Sequence, residues 1–192
     1  MHAINLEFLF RVVTNVWVVG ELLLALFTTT REGVGKIHDR GTQLILWVVL
    51  IGSFKTEEWM HGFFRIDMPG SYSWLRPAAF AILVFGFVVR VAAIVTLGRA
   101  FSANVAMRAG QRLQRNGLYA LVRHPSYLGL ELILLALAIH ARIWACFAVA
   151  FIPSTVAVLY RIYVEENALR LAFGTDYEDY SRSTKRLIPG IY

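Results

Sequence analysis

The chain has 192 residues, of which 57% are hydrophobic and 14% aromatic, and its mean hydropathy is +0.56. Charged residues make up 17% of it, against about a quarter in a typical soluble domain, which argues against an ordinary soluble protein. The net charge is +6, but the cations lie between apolar runs, a pattern that the positive-inside rule explains without nucleic acid. We predict a single all-α membrane domain over residues 1–192.

Five apolar segments are predicted to span the membrane as helices, since a span needs roughly 20 apolar residues. They cover residues 6–27, 43–54, 74–97, 127–140 and 143–164, and the second and fourth are short. The first two, within residues 1–64, carry no functional motif. After the fifth, residues 165–186 predict an amphipathic helix, on the membrane or folded over the bundle, that is broken at Gly174. Tyr177 and Tyr180 then suit an interfacial position.

Positive charge alternates between the loops. Arg and Lys are concentrated after the first, third and fifth segments, whereas the other two loops are balanced or nearly uncharged. The positive-inside rule therefore predicts that the N-terminus is outside and the C-terminus is in the cytoplasm. Five helices satisfy that arrangement.

Several charged residues fall within the predicted spans, where an ionised side chain costs roughly 2.5–3.5 kcal/mol on insertion scales. Arg90 and Arg161 either reach toward the headgroups or face a cavity or a partner. Glu21 and Glu131 are predicted to form hydrogen bonds between helices. Arg161 and Glu165 share a helix face, either as a surface ion pair or as a polar site that holds an anion and a cation.

The segment NGLYALVRHPSYLG, residues 116–129, places polar and restrictive residues just before the fourth span. Pro125 disfavours helical geometry at His124 and suits the first turn of a helix. The side chains gathered at this helix start are Arg123, His124, Ser126 and Tyr127. Such a start favours an anion, for example a carboxylate, although a capped helix with interfacial aromatic residues is an equal alternative.

The motif RHPSYLG at residues 123–129, the glutamate pair at 165–166, and the later Phe-Gly, tyrosines and closing Ile-Pro-Gly resemble the isoprenylcysteine carboxyl methyltransferase family. The resemblance covers about residues 75–192 and is nearest to small prokaryotic members with five helices. It implies an integral membrane bundle of about five transmembrane helices with a cytoplasmic C-terminal helical region. It also implies an S-adenosyl-L-methionine-dependent carboxyl methyltransferase of a prokaryotic inner membrane, acting on a lipophilic substrate such as a prenylcysteine.

The resemblance also implies roles for individual residues. The cofactor would be bound by Gln111, Arg112, Leu113, Gln114, Tyr119, His124, Pro125, Ser126, Tyr127 and Glu165. Family members often carry a hydrophobic residue where Gln114 stands. Arg161 and Arg90 would bind and position the acceptor carboxylate, and the alignment of Arg90 needs a small gap.

No general base is required for such a reaction, because a carboxylate with a reference pKa near 4 is ionised at neutral pH. The enzyme has to desolvate the carboxylate and align it, and a guanidinium can hold one oxygen while the other attacks. The histidines show no spacing typical of metal ligands, so no metal is predicted.

Three other functions fit parts of the pattern. A phospholipid amine N-methyltransferase shares the paired glutamates but would need a base for its ammonium acceptor. A nicotinamide-dependent sterol-type reductase has a similar C-terminal region in a much longer chain. A structural membrane protein would leave Arg90 and the polar helix start unexplained. The expected partners are a lipophilic substrate that enters from the bilayer, and membrane lipids, with no nucleic acid.

Overall fold

A computed structural model describes residues 5–28, 35–37, 41, 43–49, 51–52, 72–101, 106–108, 112–141, 144 and 147–192. Within these residues the fold is a helical bundle. Its helices are α1 (Leu6–Thr28), α2 (43–49 and 51–52), α3 (Tyr72–Leu97), α4 (Pro125–Ala141), α5 (Ile152–Phe173) and α6 (Thr175–Ser183). Short 3-10 turns lie at Gly98–Ala100 and Gly117–Ala120, a π-helical turn at Phe147–Phe151, and two strands, β1 and β2, at Gly35–Ile37 and Ala106–Arg108.

The helices confirm the predicted multi-pass membrane fold. Three described stretches are long and apolar enough to cross a membrane: Leu6–Thr28, Trp74–Leu97 and Phe147–Phe173. The shorter apolar helix Pro125–Ala141 occupies the fourth predicted span. Residues 43–49 and 51–52 of the second predicted span are helical, while residues 50 and 53–54 and the loop after them lie outside the described residues.

The boundary predicted after the fifth span is wrong. Helix α5 continues without interruption through residues 165–173, so the predicted amphipathic helix is the end of α5 followed by the separate α6. The predicted break at Gly174 is confirmed. Its φ of 52° is a left-handed value that favours glycine, and its N–H donates to the Arg170 carbonyl to close the last turn.

Helices α3 and α4 pack closely because each carries a glycine at the crossing. A Cβ atom at Gly129 would lie 2.5 Å from the backbone nitrogen of Arg90, and one at Gly86 would lie 2.9 Å from the Gly129 carbonyl oxygen. The last position of the RHPSYLG motif is therefore a packing requirement. It fixes the start of α4 against the middle of α3.

Apolar side chains from the long helices form one core around this crossing. Phe10 and Trp17 of α1 join Leu83 of α3, Ile133 of α4 and Val158 of α5. The core thus spans four helices, and it supports the polar residues at one end of the bundle.

The loops at that end are tied together by backbone pairing. Strand β1 follows α1 and pairs antiparallel with β2, which follows α3, with Gly35 opposite Arg108. The backbone N–H groups of Arg123 and His124 donate to the carbonyls of Lys185 and Arg186, at 2.7 and 3.0 Å. The C-terminal ends of α1 and α3, the start of α4 and the C-terminal segment therefore lie on one side of the bundle. This agrees with the predicted grouping of basic segments, while the identity of that side stays a prediction.

Candidate functional site

The start of α4 is buried in protein although its residues are polar. His124, Pro125, Ser126 and Tyr127 are all buried, and the Leu128 N–H donates to the His124 carbonyl to begin the helix. Backbone with unpaired N–H groups is tolerated near membrane depth only inside protein or along a cavity. The predicted polar helix start is thus an enclosed feature instead of a ring of exposed interfacial side chains.

Tyr127 joins α4 to two charged residues of α5. Its hydroxyl donates to Glu165 Oε2 at 2.7 Å and accepts from Arg161 Nε at 2.8 Å. Arg161 is only 4% exposed, so it does not extend to the headgroups. Because Arg161 and Glu165 lie four residues apart, one turn of α5 presents a cation and an anion on the same face. The arrangement suits a ligand, or a pair of ligands, that carries both charges.

Arg90 lies in a different set of contacts. Its guanidinium forms a two-point ion pair with Glu21 of α1, at 2.8 and 2.9 Å, and Trp17 donates to the same carboxylate at 3.1 Å. Its Nη1 donates to the carbonyl and hydroxyl oxygens of Ser126. The predicted helix–helix bonding of Glu21 is confirmed. These partners explain the burial of Arg90 without an acceptor, and its role as a carboxylate clamp stays a prediction.

Glu166 is the centre of a second polar cluster, next to the first. Its carboxylate is 1% exposed and binds three guanidinium groups: Arg123 at 3.1 Å, Arg186 at 2.9 Å and Arg170 at 3.3 Å. His124 Nε2 lies 3.5 Å from its Oε1, longer than an ordinary hydrogen bond. These contacts connect the start of α4, helix α5 and the C-terminal segment. We call Glu166 with these three arginines the Glu166 clasp.

The tyrosines of α6 reinforce this connection. Tyr177 and Tyr180 are buried, so their predicted interfacial position is wrong, and Tyr180 donates to the Tyr119 carbonyl at 2.6 Å. Burial raises the pKa of Tyr180 to about 12, which keeps its hydroxyl a donor. Arg115 lies over the Tyr180 ring and donates to the Asp176 carbonyl at 2.6 Å. Helix α6 is therefore a packed cover on the loop before α4.

Comparison with known proteins gives this arrangement a family. A sequence model of the isoprenylcysteine carboxyl methyltransferase family matches residues 79–171. This segment contains most of α3, all of α4 and most of α5, and with them the Tyr127, Arg161 and Glu165 contacts. Residues 79–171 are thus similar in sequence to the isoprenylcysteine carboxyl methyltransferase family.

Named relatives and a solved structure agree with this family match. Protein-S-isoprenylcysteine O-methyltransferases A and B of Arabidopsis thaliana are 30% and 28% identical to this chain over 122 residues. The Tribolium castaneum enzyme is 32% identical over 120 residues, 62% of this chain and 43% of that protein. The structure of a eukaryotic intramembrane Ras methyltransferase of the family superposes with a TM-score of 0.61 and 28% identity, over 76% of this chain and 52% of that one.

The match is partial on both sides. The aligned part spans 60% of this chain and 60% of each Arabidopsis protein, so less than two thirds of those relatives is represented here. These relatives are eukaryotic, and the predicted likeness to small prokaryotic members is not borne out. Two partners of the site residues, Glu21 and Arg186, lie outside the family region.

The residues predicted to line the adenosyl end of a cofactor are only partly placed. Gln111 lies outside the described residues. Arg112 is exposed, and Leu113 and Gln114 are partly buried in an irregular segment that leads to the turn before α4. Tyr119 is buried, and its hydroxyl donates to the Ala93 carbonyl at 3.4 Å. The cofactor roles of these residues stay predictions.

Reasoning from the sequence did not anticipate the Glu166 clasp. Adjacent residues on a helix point about 100° apart, and here Glu165 contacts Tyr127 whereas Glu166 contacts the three arginines. Arg170, four residues after Glu166, was the available signal for a separate ion pair. The contacts with Arg123 and Arg186 join distant parts of the chain and have no local signature.

Proposed function

We propose that this chain is an integral membrane methyltransferase that transfers a methyl group from S-adenosyl-L-methionine to the carboxylate of a lipophilic acceptor, such as a prenylcysteine. The observation that carries the proposal is the Arg161–Tyr127–Glu165 chain of hydrogen bonds beside the buried start of α4. It combines a buried cation for an acceptor anion with a carboxylate at the adjacent turn. The names of the relatives describe O-methylation of an isoprenylcysteine by those proteins.

The donor set at the start of α4 fits the amino-acid end of S-adenosylmethionine. That end carries a carboxylate and an ammonium. The helix start suits the carboxylate, because its N–H groups and dipole favour an anion. Glu165 suits the ammonium, since among the described residues only Tyr127 binds it, through Oε2. His124 Nε2 is buried without a hydrogen-bond partner in the described part of the chain, and the Glu166 carboxylate lies 3.5 Å from it.

These residues define the proposed cofactor contacts. We assign the methionine end to His124, Pro125, Ser126, Tyr127 and Glu165, and the adenosyl end to Tyr119 and the segment 111–114. When bound, S-adenosylmethionine supplies an electrophilic methyl group on a sulfonium. The chain itself would desolvate the acceptor carboxylate and align it with the methyl group.

Arg161 is the residue that we propose binds the acceptor carboxylate. Tyr127 holds its Nε at 2.8 Å, so the guanidinium has a fixed orientation before an acceptor arrives. Its burial removes water from the bound carboxylate, which makes the anion more nucleophilic. No side chain has to remove a proton, because the carboxylate is already ionised. Arg161 is thus a binding and positioning group.

The charge of this site also separates the alternative acceptors. A phospholipid amine would bring an ammonium toward the buried Arg161, which repels it, and would need a base that accepts its proton. A nicotinamide cofactor would place its phosphates at the same helix start. A binding measurement distinguishes it from S-adenosylmethionine. A carboxylate acceptor is attracted by Arg161 and needs no base.

The proposal is tested by calorimetry on the full chain in detergent with S-adenosylhomocysteine and, separately, NADPH. Saturable binding of the first alone is the expected result. Transfer of labelled methyl to N-acetyl-S-farnesylcysteine and to phosphatidylethanolamine is then measured. A base-labile methyl ester on the cysteine derivative supports the proposal. Binding of NADPH alone, or methyl transfer only to the amine, would overturn it.

A further inference from the structure

Glu131 is a carboxyl group inside the apolar part of α4. It lies four residues after Tyr127, on the same helix face and about 6 Å farther along the axis. Thr155 of α5 donates to its Oε2 at 2.8 Å. This contact confirms the predicted hydrogen bond between helices, but it uses only one of the two carboxyl oxygens.

The second oxygen of Glu131 is unsatisfied. Oε1 is buried and has no hydrogen-bond partner among the described residues. A buried polar atom without a partner is costly, and more so in an apolar surrounding, so such atoms in membrane proteins usually face a partner or a ligand. If residue 131 only had to accept the hydrogen bond from Thr155, an uncharged side chain with one acceptor atom would be sufficient. The second carboxyl oxygen of Glu131 could therefore accept a hydrogen bond from a ligand.

The position of Glu131 relates it to the proposed acceptor site. Tyr127 and Glu131 lie on one face of α4, and their partners Arg161 and Thr155 both lie on α5. The two polar contacts thus belong to the same interface between α4 and α5. Tyr127 lies near the polar end of that interface, and Glu131 lies one helical turn deeper. A molecule that holds its carboxylate at Arg161 and extends its hydrocarbon along the α4–α5 interface would reach the level of Glu131.

We propose that Glu131, oriented by Thr155, is a second acceptor-binding subsite that accepts a hydrogen bond from an N–H group close to the acceptor carboxylate. In an N-acylated cysteine this group is the amide N–H on the carbon that bears the carboxylate. The subsite gives specificity, because a donor that satisfies Oε1 is favoured over an isostere that leaves it bare. The proposal rests on the proposed function, since it assumes that Arg161 holds the carboxylate.

The test uses two probes that differ only at the amide nitrogen. They are N-acetyl-S-farnesylcysteine and N-acetyl-N-methyl-S-farnesylcysteine, in which a methyl group replaces the amide hydrogen. Affinity is measured by equilibrium titration of the full chain in detergent with S-adenosylhomocysteine saturating, and methyl transfer is measured separately. The wild type is expected to bind the N–H probe about tenfold more tightly, which corresponds to about 1.4 kcal/mol. Glu131→Leu should remove this preference. Glu131→Gln, which keeps a carbonyl oxygen, should restore part of it.

Two controls separate the subsite from a general effect on the bundle. Retained affinity of Glu131→Leu for S-adenosylhomocysteine shows that the variant is folded. Glu178→Gln changes an exposed carboxyl of α6 and should keep the full preference for the N–H probe. A bundle that is merely loosened would bind both probes more weakly by the same factor.

The outcomes distinguish this inference from the proposed function. Equal affinity of the wild type for both probes, an unchanged preference in Glu131→Leu, or no binding of either probe overturns the subsite. A preference that depends on Glu131, without methylation of either probe, supports the subsite and overturns the proposed function. Methylation of both probes with equal affinities supports the proposed function and overturns the subsite.

Discussion

Buried charges in this chain are compensated in two different ways. Arg90 and Glu21 form a direct two-point pair, and Glu166 is surrounded by three guanidinium groups. A buried charge is strongly unfavourable unless it is paired, so these sets stabilise the bundle as units. Arg161 and Glu165 are instead linked through the Tyr127 hydroxyl. That linkage places a cation and an anion within one turn of α5, on either side of a single hydroxyl group.

Replacing Arg161 should affect the acceptor and spare the cofactor. Arg161→Ala removes a charged hydrogen bond of about 1.5–3 kcal/mol, so kcat/KM for a carboxylate acceptor is expected to fall about 10- to 150-fold. Arg161→Lys should recover only part of it, because a point charge cannot reproduce the fork. Steady-state kinetics and S-adenosylhomocysteine titrations measure both quantities. Loss of cofactor affinity in both variants would place Arg161 in the cofactor site instead.

Glu165 is expected to show the opposite pattern. Glu165→Ala removes the proposed partner of the cofactor ammonium and should weaken S-adenosylhomocysteine binding by about 1–3 kcal/mol. Calorimetry on the folded variant measures this loss. Glu178→Gln is the matched control, because it removes an exposed carboxyl on the same side of the bundle. Unchanged affinity in Glu165→Ala would exclude Glu165 from the cofactor site.

At the scale of the elements, a glycine contact and the Glu166 clasp hold the start of α4. The backbones of α3 and α4 approach at Gly86 and Gly129, where neither position has room for a Cβ atom. The Glu166 clasp then attaches the C-terminal segment to the residues just before α4. The polar site is therefore positioned from both sides, by apolar packing within the bundle and by ion pairs at its end.

Gly129→Ala should separate α3 from α4. The added methyl would lie 2.5 Å from a backbone nitrogen, which cannot move like a flexible side chain, so a loss of about 1–3 kcal/mol is expected. Thermal unfolding in detergent should then show a melting temperature lower by about 2–12 °C. Gly20→Ala is the matched control, since nothing lies within 4 Å of the added Cβ. An unchanged melting temperature for Gly129→Ala would contradict the close crossing.

The Glu166 clasp should be essential for the order of the C-terminal segment. Glu166→Gln leaves the surrounding arginines without their counter-charge, and breaking a buried ion pair typically costs about 3–5 kcal/mol. Limited proteolysis should then cleave residues 175–192 faster than in the wild type. Arg182→Gln is the control, because its pair with Asp179 is largely exposed and such pairs contribute about 0–1 kcal/mol. Equal cleavage of all three proteins would refute the clasp.

The sequence predicts those features of the fold that depend on local composition. Apolar runs located the spans, because a membrane helix needs a continuous apolar stretch. Gly174 marked a real helix end. The continuation of α5 through Glu165 was missed, since the change from membrane to polar surroundings resembles an element boundary. The partners of Arg90 could not be found, because Glu21 lies 69 residues away and the pairing exists only once α1 packs on α3.

At the scale of the whole molecule, the described loops separate the two ends of the bundle. The pairing of β1 with β2 and of residues 123–124 with 185–186 places three basic segments on one side. The site of Tyr127, Arg161 and Glu165 lies toward this side. If the positive-inside rule applies, that side is cytoplasmic, where a soluble cofactor has access while a lipophilic acceptor enters from the bilayer.

The last prediction concerns this orientation. With five spans, the C-terminus is predicted to be cytoplasmic and the loop after α4 to be outside, because Arg and Lys are scarce in that loop and frequent after α5. A reporter that is active only in the cytoplasm should give a signal when fused after Tyr192 and none when inserted after Arg142. A reporter that is active only outside should give the reverse pattern, which controls for expression. The same signal from both positions would contradict a membrane crossing by α5. Opposite signals with the polarity exchanged would keep the five spans and invert the bundle, and the proposed site would then face away from the cytoplasmic pool of S-adenosylmethionine.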